Sequence, residues 1–214
     1  MEVGRFIRAK TIASAWHRGI NLIWRGGEEV RDERGTRTRE LIDLLIVVKE
    51  PFLDMVPKKY SWKEERLEDY AQQLISGHNP GFEYTYGERL RAWRVAEVEP
   101  VDQIDYVIRR LKASSETRRA TATTWIPPVD ASRDEVPCMI LDDFKIRSGR
   151  LHLSAVFRSH DFAGAYPANL FGLARLLEYV SLRVGIEPGT ITTLSISAHI
   201  YEHDWDWVSE MLLE

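Results

Sequence analysis

The stretch from Pro137 to Tyr201 restricts the fold of this chain more than any other. Residues 137–141 run into a strand, and Arg147-Ser148-Gly149-Arg150 makes a tight turn. Residues 151–158 then alternate apolar and polar, so the pair reads as a β-hairpin. A long amphipathic helix follows over 168–184, with Gly185 as its stop. Pro188-Gly189 reads as a turn, and 190–201 alternates as a last long strand. A hairpin, a helix and a returning strand suit a mixed sheet. Upstream, 12–24 has helical spacing at Ile12, Ala15, Trp16, Ile20 and Ile23. Residues 25–39 read as a polar turn region, 41–48 as a buried strand and 51–57 as a loop. Residues 62–75 form a helix whose inner face carries Trp62, Leu67, Tyr70, Ala71, Leu74 and Ile75, with a break at 77–81. Residues 101–112 form a second amphipathic helix with Asp102 in its first turn. Threonines mark a strand at 120–125, stopped by Pro127-Pro128, and 204–214 is a short acidic tail with helical character. Without repeats or low-complexity segments, residues 1–214 are expected to make a single α+β domain around one mixed sheet.

Composition narrows the function classes. A net charge of −4 gives no reason to expect a nucleic-acid surface. The single cysteine excludes an internal disulfide and fits a reducing compartment. Met1 to Lys10 lacks the apolar core of a signal peptide, and the apolar run at 41–48 is too short to span a bilayer. A cytoplasmic protein with no membrane partner is expected. The seven tryptophans are core and interface side chains on the plain reading.

Cys138 follows Pro137. Twenty residues on comes Arg158-Ser159-His160-Asp161, then Gly164, Pro167 and Asn169, and later His199-Ile200-Tyr201. A lone thiol in that company is either a nucleophile or an inert buried cysteine. His17, His78, His152, His160, His199 and His203 show no coordinating arrangement with it, so no metal is expected.

Taken in order, several blocks resemble the thymidylate synthase family, which includes the dCMP hydroxymethylases. They are Tyr86-Gly87-Glu88-Arg89-Leu90-Arg91-Ala92-Trp93, the helix from Val101 to Lys112, and Ser115-Glu116-Thr117-Arg118-Arg119 up to Trp125. Pro137-Cys138, Arg158-Ser159-x-Asp161 with Gly164, Pro167 and Asn169, and His199-x-Tyr201 complete the series. The departures resemble a compact archaeal branch. About eighteen residues are missing between 62–70 and Tyr86, and the long C-terminal extension is absent. Met139 follows the cysteine where the family has histidine, Ser197 replaces an aspartate, and His203 replaces an asparagine. The folate-contacting parts depart most.

The resemblance implies a twisted mixed sheet flanked by helices and a homodimer formed through the sheet. It implies methylation of dUMP at C5 by 5,10-methylenetetrahydrofolate or a related methylene-tetrahydropterin, with Cys138 adding to C6. Arg158 is the candidate to ionise the thiol and, with Ser159, to hold the phosphate. Arg118 and Arg119 would reach the partner's site; by themselves they read as a solvated strand end. A further phosphate arginine is Arg34 or Arg31, each equally readable as surface charge. Asn169 would read uracil O4 and N3–H, and could otherwise be a helix N-cap. His199 and Tyr201 share a strand face and would bond the sugar hydroxyl. Glu68 is the candidate proton-transfer glutamate, with Asp69 and Glu65 as neighbours. Tyr86 would help remove the C5 proton, and Asp161 would bond the pterin. Asp142 and Asp143 are expected to cap the hairpin strands. Two alternatives stay open: a (d)CMP hydroxymethylase, against which Asn169 speaks, and a nucleotide-binding relative without methyl transfer.

Overall fold

The structure, a computed structural model, describes residues 3–92 and 99–213. Trp93, the last residue of the Tyr86 block, lies outside them, as do Met1 and Glu214 at the ends of two of the segments read above. The elements run β1 (Arg5–Ala9), α1 (Ile12–Gly26), β2 (Glu28–Arg31), β3 (Arg37–Val48), α2 (Glu64–Ser76), α3 (Tyr86–Arg91), α4 (Gln103–Ala113) and β4 (Thr121–Thr123). They continue with α5 (Pro127–Asp130), β5 (Met139–Arg147), β6 (Arg150–Asp161), α6 (Tyr166–Val184), β7 (Glu187–Tyr201), a 3-10 turn (Glu202–Asp204) and α7 (Trp205–Leu213).

One seven-stranded sheet has the order β1-β3-β7-β6-β5-β4, with β2 added to β3. β1 is parallel to β3 and β6 to β7; the other pairs are antiparallel. The expected single α+β domain with a mixed sheet is therefore present. Ser148 and Gly149, at φ 52° and 72°, give the β5–β6 hairpin the doubly left-handed turn that matches strand twist. α6 carries 13 buried residues over 19 and packs with α1 on one face of the sheet. On the opposite face, Leu45, Leu194, Val156 and Leu141 form a half-exposed apolar row across β3, β7, β6 and β5 that no helix among the described residues buries. No helix among the described residues is long and apolar enough to cross a membrane.

Several expectations are corrected. Residues 25–39 are a hairpin of β2 and β3 rather than a turn region. Glu29 pairs across it with Arg37 and Arg39, so charge partners replace the apolar alternation that would have marked strands. Residues 86–91 form the helix α3, capped by Thr85, whose side chain accepts from the Glu88 N–H. Pro188 and Gly189 lie inside β7, not in a turn. The β6–β7 register shifts there, and the Thr190 N–H is taken by His152 Nδ1 at 3.1 Å. Asp102 is the N-cap of α4 rather than a first-turn residue. Asp142 and Asp143 cap nothing: both lie in the middle of β5. Asp143 pairs with Lys145. Asp142 is fully buried with neither carboxylate oxygen bonded, and burial pushes its carboxyl up to about 7.

Candidate active site

Cys138 immediately precedes β5, whose pairing with β6 slips between Met139 and Leu141. Such a bulge re-aims the side chain beside it. The Cys138 carbonyl accepts from the Arg158 N–H at 2.8 Å. The Arg158 side chain donates from Nε to the Pro137 carbonyl at 3.0 Å and from Nη2 to the Val136 carbonyl at 2.9 Å. Nη2 also lies 3.9 Å from the Cys138 sulfur. Arg158 thus clamps the segment that carries the thiol and places positive charge beside it. Burial pushes the thiol up, Arg158 pulls it down, and Glu135 and Asp161 push it up further. The net direction is upward, so in the isolated chain burial outweighs the ionising effect expected of Arg158.

A chamber of about 500 Å³ opens beside the sulfur, and Tyr70, Tyr86, Asp161, Asn169 and His199 line it. Asn169 lies in the first turn of α6, whose N-cap is Ala165 with no side-chain cap bond. The N-cap reading of Asn169 is therefore wrong; its side chain is free to serve the chamber. Tyr70 Oη donates to Asn169 Oδ1 at 2.6 Å, and Asn169 Nδ2 is 3.3 Å from His160 Nε2. His160 Nδ1 is 2.8 Å from Ser195 Oγ. The His160 ring stacks on Phe157 at 3.8 Å, and burial drives its basicity well down. Tyr86 Oη accepts from the Met139 N–H at 3.2 Å, and burial holds the phenol well above its ordinary value. Gly87 makes this meeting of tyrosines possible: any Cβ there would strike the Gln73 backbone of α2, holding α3 off α2. Asp161 Oδ1 accepts from the Ala163 and Gly164 N–H groups, each at 3.0 Å. A Cβ on Gly164 would come within 2.5 Å of Asp161 Oδ2.

Two further hollows join the chamber. A polar one of about 500 Å³ shares Cys138, Ser159, His199 and Tyr201 with it and is also lined by Arg31, Arg34 and Arg158. Its wall holds Asp32, Glu33, Glu40 and Glu135 as well. Arg34 is paired with Glu135 across its rim, and Ser197 Oγ donates to Glu40. An apolar groove of about 670 Å³ lies on the other side, walled by Trp62, Phe82, Tyr84 and Tyr86. Trp62 and Tyr70 face both groove and chamber, and the Arg66 guanidinium covers the Trp62 ring at 3.8 Å.

Most residues singled out in the sequence meet here: Cys138, Tyr86, Arg158, Ser159, Asp161, Asn169, His199, Tyr201, Arg31 and Arg34. Three do not. Glu68 is bound to Arg175 on α6 and lines none of these hollows, whereas its neighbour Asp69 lines the groove. Arg118 and Arg119 are exposed on the loop between α4 and β4, away from the chain's own thiol cleft. Tyr70, His160, Tyr84, Glu135 and Glu40 were not anticipated as cleft residues. Tyr70 and His160 carry core-like surroundings in sequence, and only the missing partner for so polar a side chain could have flagged them. Among the described residues no group of three or more histidine, cysteine or acidic side chains is arranged to hold a metal ion.

The thymidylate synthase sequence-family model matches residues 55–214, three quarters of the chain. Proteins named "Putative thymidylate synthase" are similar over nearly their whole length. That of Methanosarcina acetivorans is 61% identical over 99% of this chain and 96% of its own. That of Methanothermobacter thermautotrophicus is 46% identical over 96% and 97%. That of Methanocaldococcus jannaschii is 39% identical over 97% and 96%.

Proposed function

This chain belongs to the thymidylate synthase family, and from that premise we propose that it makes dTMP from dUMP in the cytoplasm, using a methylene-tetrahydropterin. The observation that carries the reading is the shared chamber. A thiol flanked by a guanidinium and an asparagine amide line one chamber of about 500 Å³.

The phosphate would enter the polar hollow, held by Arg158, Ser159 and Arg34, with His199 and Tyr201 at the sugar. Cys138 Sγ, as thiolate, bonds to C6, and the C5–C6 electron pair moves through the ring onto O4. An Asn169 N–H donor steadies that charge. C5 becomes the carbon nucleophile and forms the new C–C bond. Its proton leaves to water ordered by Tyr86, whose own phenolic proton is too firmly held for it to be the base. Loss of the C5 proton with cleavage of the carbon–nitrogen bond to the pterin would leave an exocyclic methylene on C5, and a hydride added to that carbon would complete the methyl group and expel the thiolate from C6. The pterin would supply the one-carbon unit and the hydride. A flat ring fits the aromatic slot at Trp62 and Tyr84, and Asp161 offers a carboxylate to the ring's N–H groups. Both 5,10-methylenetetrahydrofolate and modified methylene-tetrahydropterins meet those terms.

The assembly would be a homodimer packed through the helix-free sheet face, around Leu45, Leu194, Val156 and Leu141. Arg118 and Arg119 of each subunit would complete the neighbour's phosphate site. The hydroxymethylase reading is served less well, because Asn169 has the wrong polarity for a cytosine edge in its present bonding.

Tritium release from C5-labelled dUMP, with dTMP formed in the presence of a methylene-pterin, tests the proposal. Release from labelled dCMP alone, or tight dUMP binding without release under any donor, would sink it. Cys138→Ser is expected to lower turnover by at least about 10⁴-fold while nucleotide binding persists.

A further inference from the structure

We propose that Tyr70 and His160 lock the Asn169 amide in the one orientation that accepts a uracil edge and rejects a cytosine edge. The inference rests on the dUMP reading above. An amide has two N–H donors on nitrogen and two lone pairs on oxygen. Tyr70 Oη takes one lone pair at 2.6 Å, and His160 Nε2 faces one N–H at 3.3 Å. One donor and one acceptor remain. Uracil lying with O4 towards the amide nitrogen and N3–H towards the amide oxygen matches what is left. Cytosine presents the reverse, a 4-amino donor and a bare N3.

To read cytosine the amide would have to turn over. The amide nitrogen would then meet Tyr70 Oη, whose hydroxyl proton would lose the acceptor it has among the described residues, at a half-buried position. The amide oxygen would meet the lone pair of His160 Nε2. That repulsion is relieved only if the imidazole proton moves from Nδ1 to Nε2 and Ser195 reverses its bond to Nδ1. The imidazole is not free to swing away: it is stacked on Phe157 and packed edge-on to Phe162 at 5.3 Å. Ser195 is fully buried on β7 and holds the imidazole from its far side at 2.8 Å. The selectivity of Asn169 is therefore set one bond behind it, by residues whose part is to hold the amide rather than to read the base. They are positioning residues. Tyr70 lies outside the blocks that marked the site in sequence, and His160 is the position left unassigned between Ser159 and Asp161.

Equilibrium binding of dUMP and of dCMP by titration calorimetry tests this in wild type and Tyr70→Phe. Wild type is expected to favour dUMP. Tyr70→Phe is expected to cut the dUMP-to-dCMP preference by about tenfold, the scale of one hydrogen bond, with dUMP losing and dCMP gaining. Equal weakening of both nucleotides, the mark of a loosened chamber, would overturn the proposal, and so would an unchanged ratio. A second measurement needs no variant. Nitrogen-15 NMR is expected to show neutral His160 protonated on Nδ1, and finding the proton on Nε2 would also overturn it. Wild-type protein that binds no dUMP would instead remove the reading beneath it, and the lock with it, whatever the tautomer of His160.

Discussion

At the Asn169 end of the cleft, Tyr70, Asn169, His160 and Ser195 are each bonded to the next, and all come from one chain. At the Arg158 end, three arginines share the wall with Asp32, Glu33, Glu40 and Glu135. One end is finished, its polar groups bonded to one another. The other faces solvent and carries more negative than positive side chains, although a nucleotide's phosphate is itself an anion. On the dUMP reading, the difference means that recognition of the base would be built into the subunit, while recognition of the phosphate would call for charge from outside it. Arg118 and Arg119 are the exposed pair that the family resemblance assigns to that task.

The largest expected effect asks whether partnered burial is what distinguishes the finished end. Asp142 lies four residues beyond Cys138, equally buried but unbonded. Its carboxyl is pushed up to about 7 by burial alone. Below the ordinary carboxylate range both folded and unfolded chains hold the proton, and stability is undiminished. As pH rises from there to about 7, the unfolded chain releases its proton while the folded one keeps it, so stability falls. The loss amounts to about 4 kcal/mol, on the order of 10³-fold in the folding constant. Asp142→Asn is expected to flatten that slope: similar denaturation midpoints at pH 4, and a clearly more stable variant at pH 8. Parallel pH profiles for the two proteins would mean that water or movement relieves the carboxylate, and that the sheet is wetter than its burial suggests.

Next in size is the missing charge. Arg118→Ala/Arg119→Ala is expected to raise KM for dUMP by about 10²-fold, two charge-assisted bonds being lost. Mixing this variant with Cys138→Ser after subunit exchange should restore activity. In the hybrid one site combines an intact thiol with the other subunit's arginines. If the mixture stayed as inactive as its components, the phosphate end would be complete within one chain and the contrast would collapse.

Periodicity revealed most of the frame: the helices near 12–24, 62–75 and 101–112 and the β5–β6 hairpin stand close to where spacing put them. The hairpin of β2 and β3 was hidden because its residues pair by charge, and α3 because six residues are too few to show a period. In the cleft, most of the residues that the ordered blocks named are brought together, Arg118 and Arg119 excepted. Glu68 is not, because three neighbouring acids on one helix differ only in direction, and the partner Arg175 that fixes its direction lies 107 positions away. Tyr70 and His160 were illegible for a related reason. A buried tyrosine beside Leu67, Ala71 and Leu74 reads as core until its hydroxyl is seen to end on Asn169. Local pattern reports which face is buried, and the identity of a polar group's distant partner is a property of the tertiary fold.

The smallest effect probes how the two ends communicate through the thiol. Glu135 holds Arg34 at the rim and raises the Cys138 thiol, while Arg34 and Arg158 lower it. Glu135→Gln removes one of the influences that raise the thiol and frees one of the guanidinium groups that lower it. The thiol should then ionise at lower pH. Alkylation by iodoacetamide near pH 7, which follows the thiolate fraction, is expected to run a few-fold faster than in wild type. KM for dUMP should fall in the same variant, because Arg34 no longer has to leave a carboxylate to meet the phosphate. Faster alkylation with an unchanged KM would confine Glu135 to the thiol and leave Arg31 as the rim arginine that serves the phosphate. Slower alkylation would show that the Arg34–Glu135 pair, by closing the rim, orders the segment that Arg158 clamps, and that the open end is more tightly coupled to the finished one than its exposure implies.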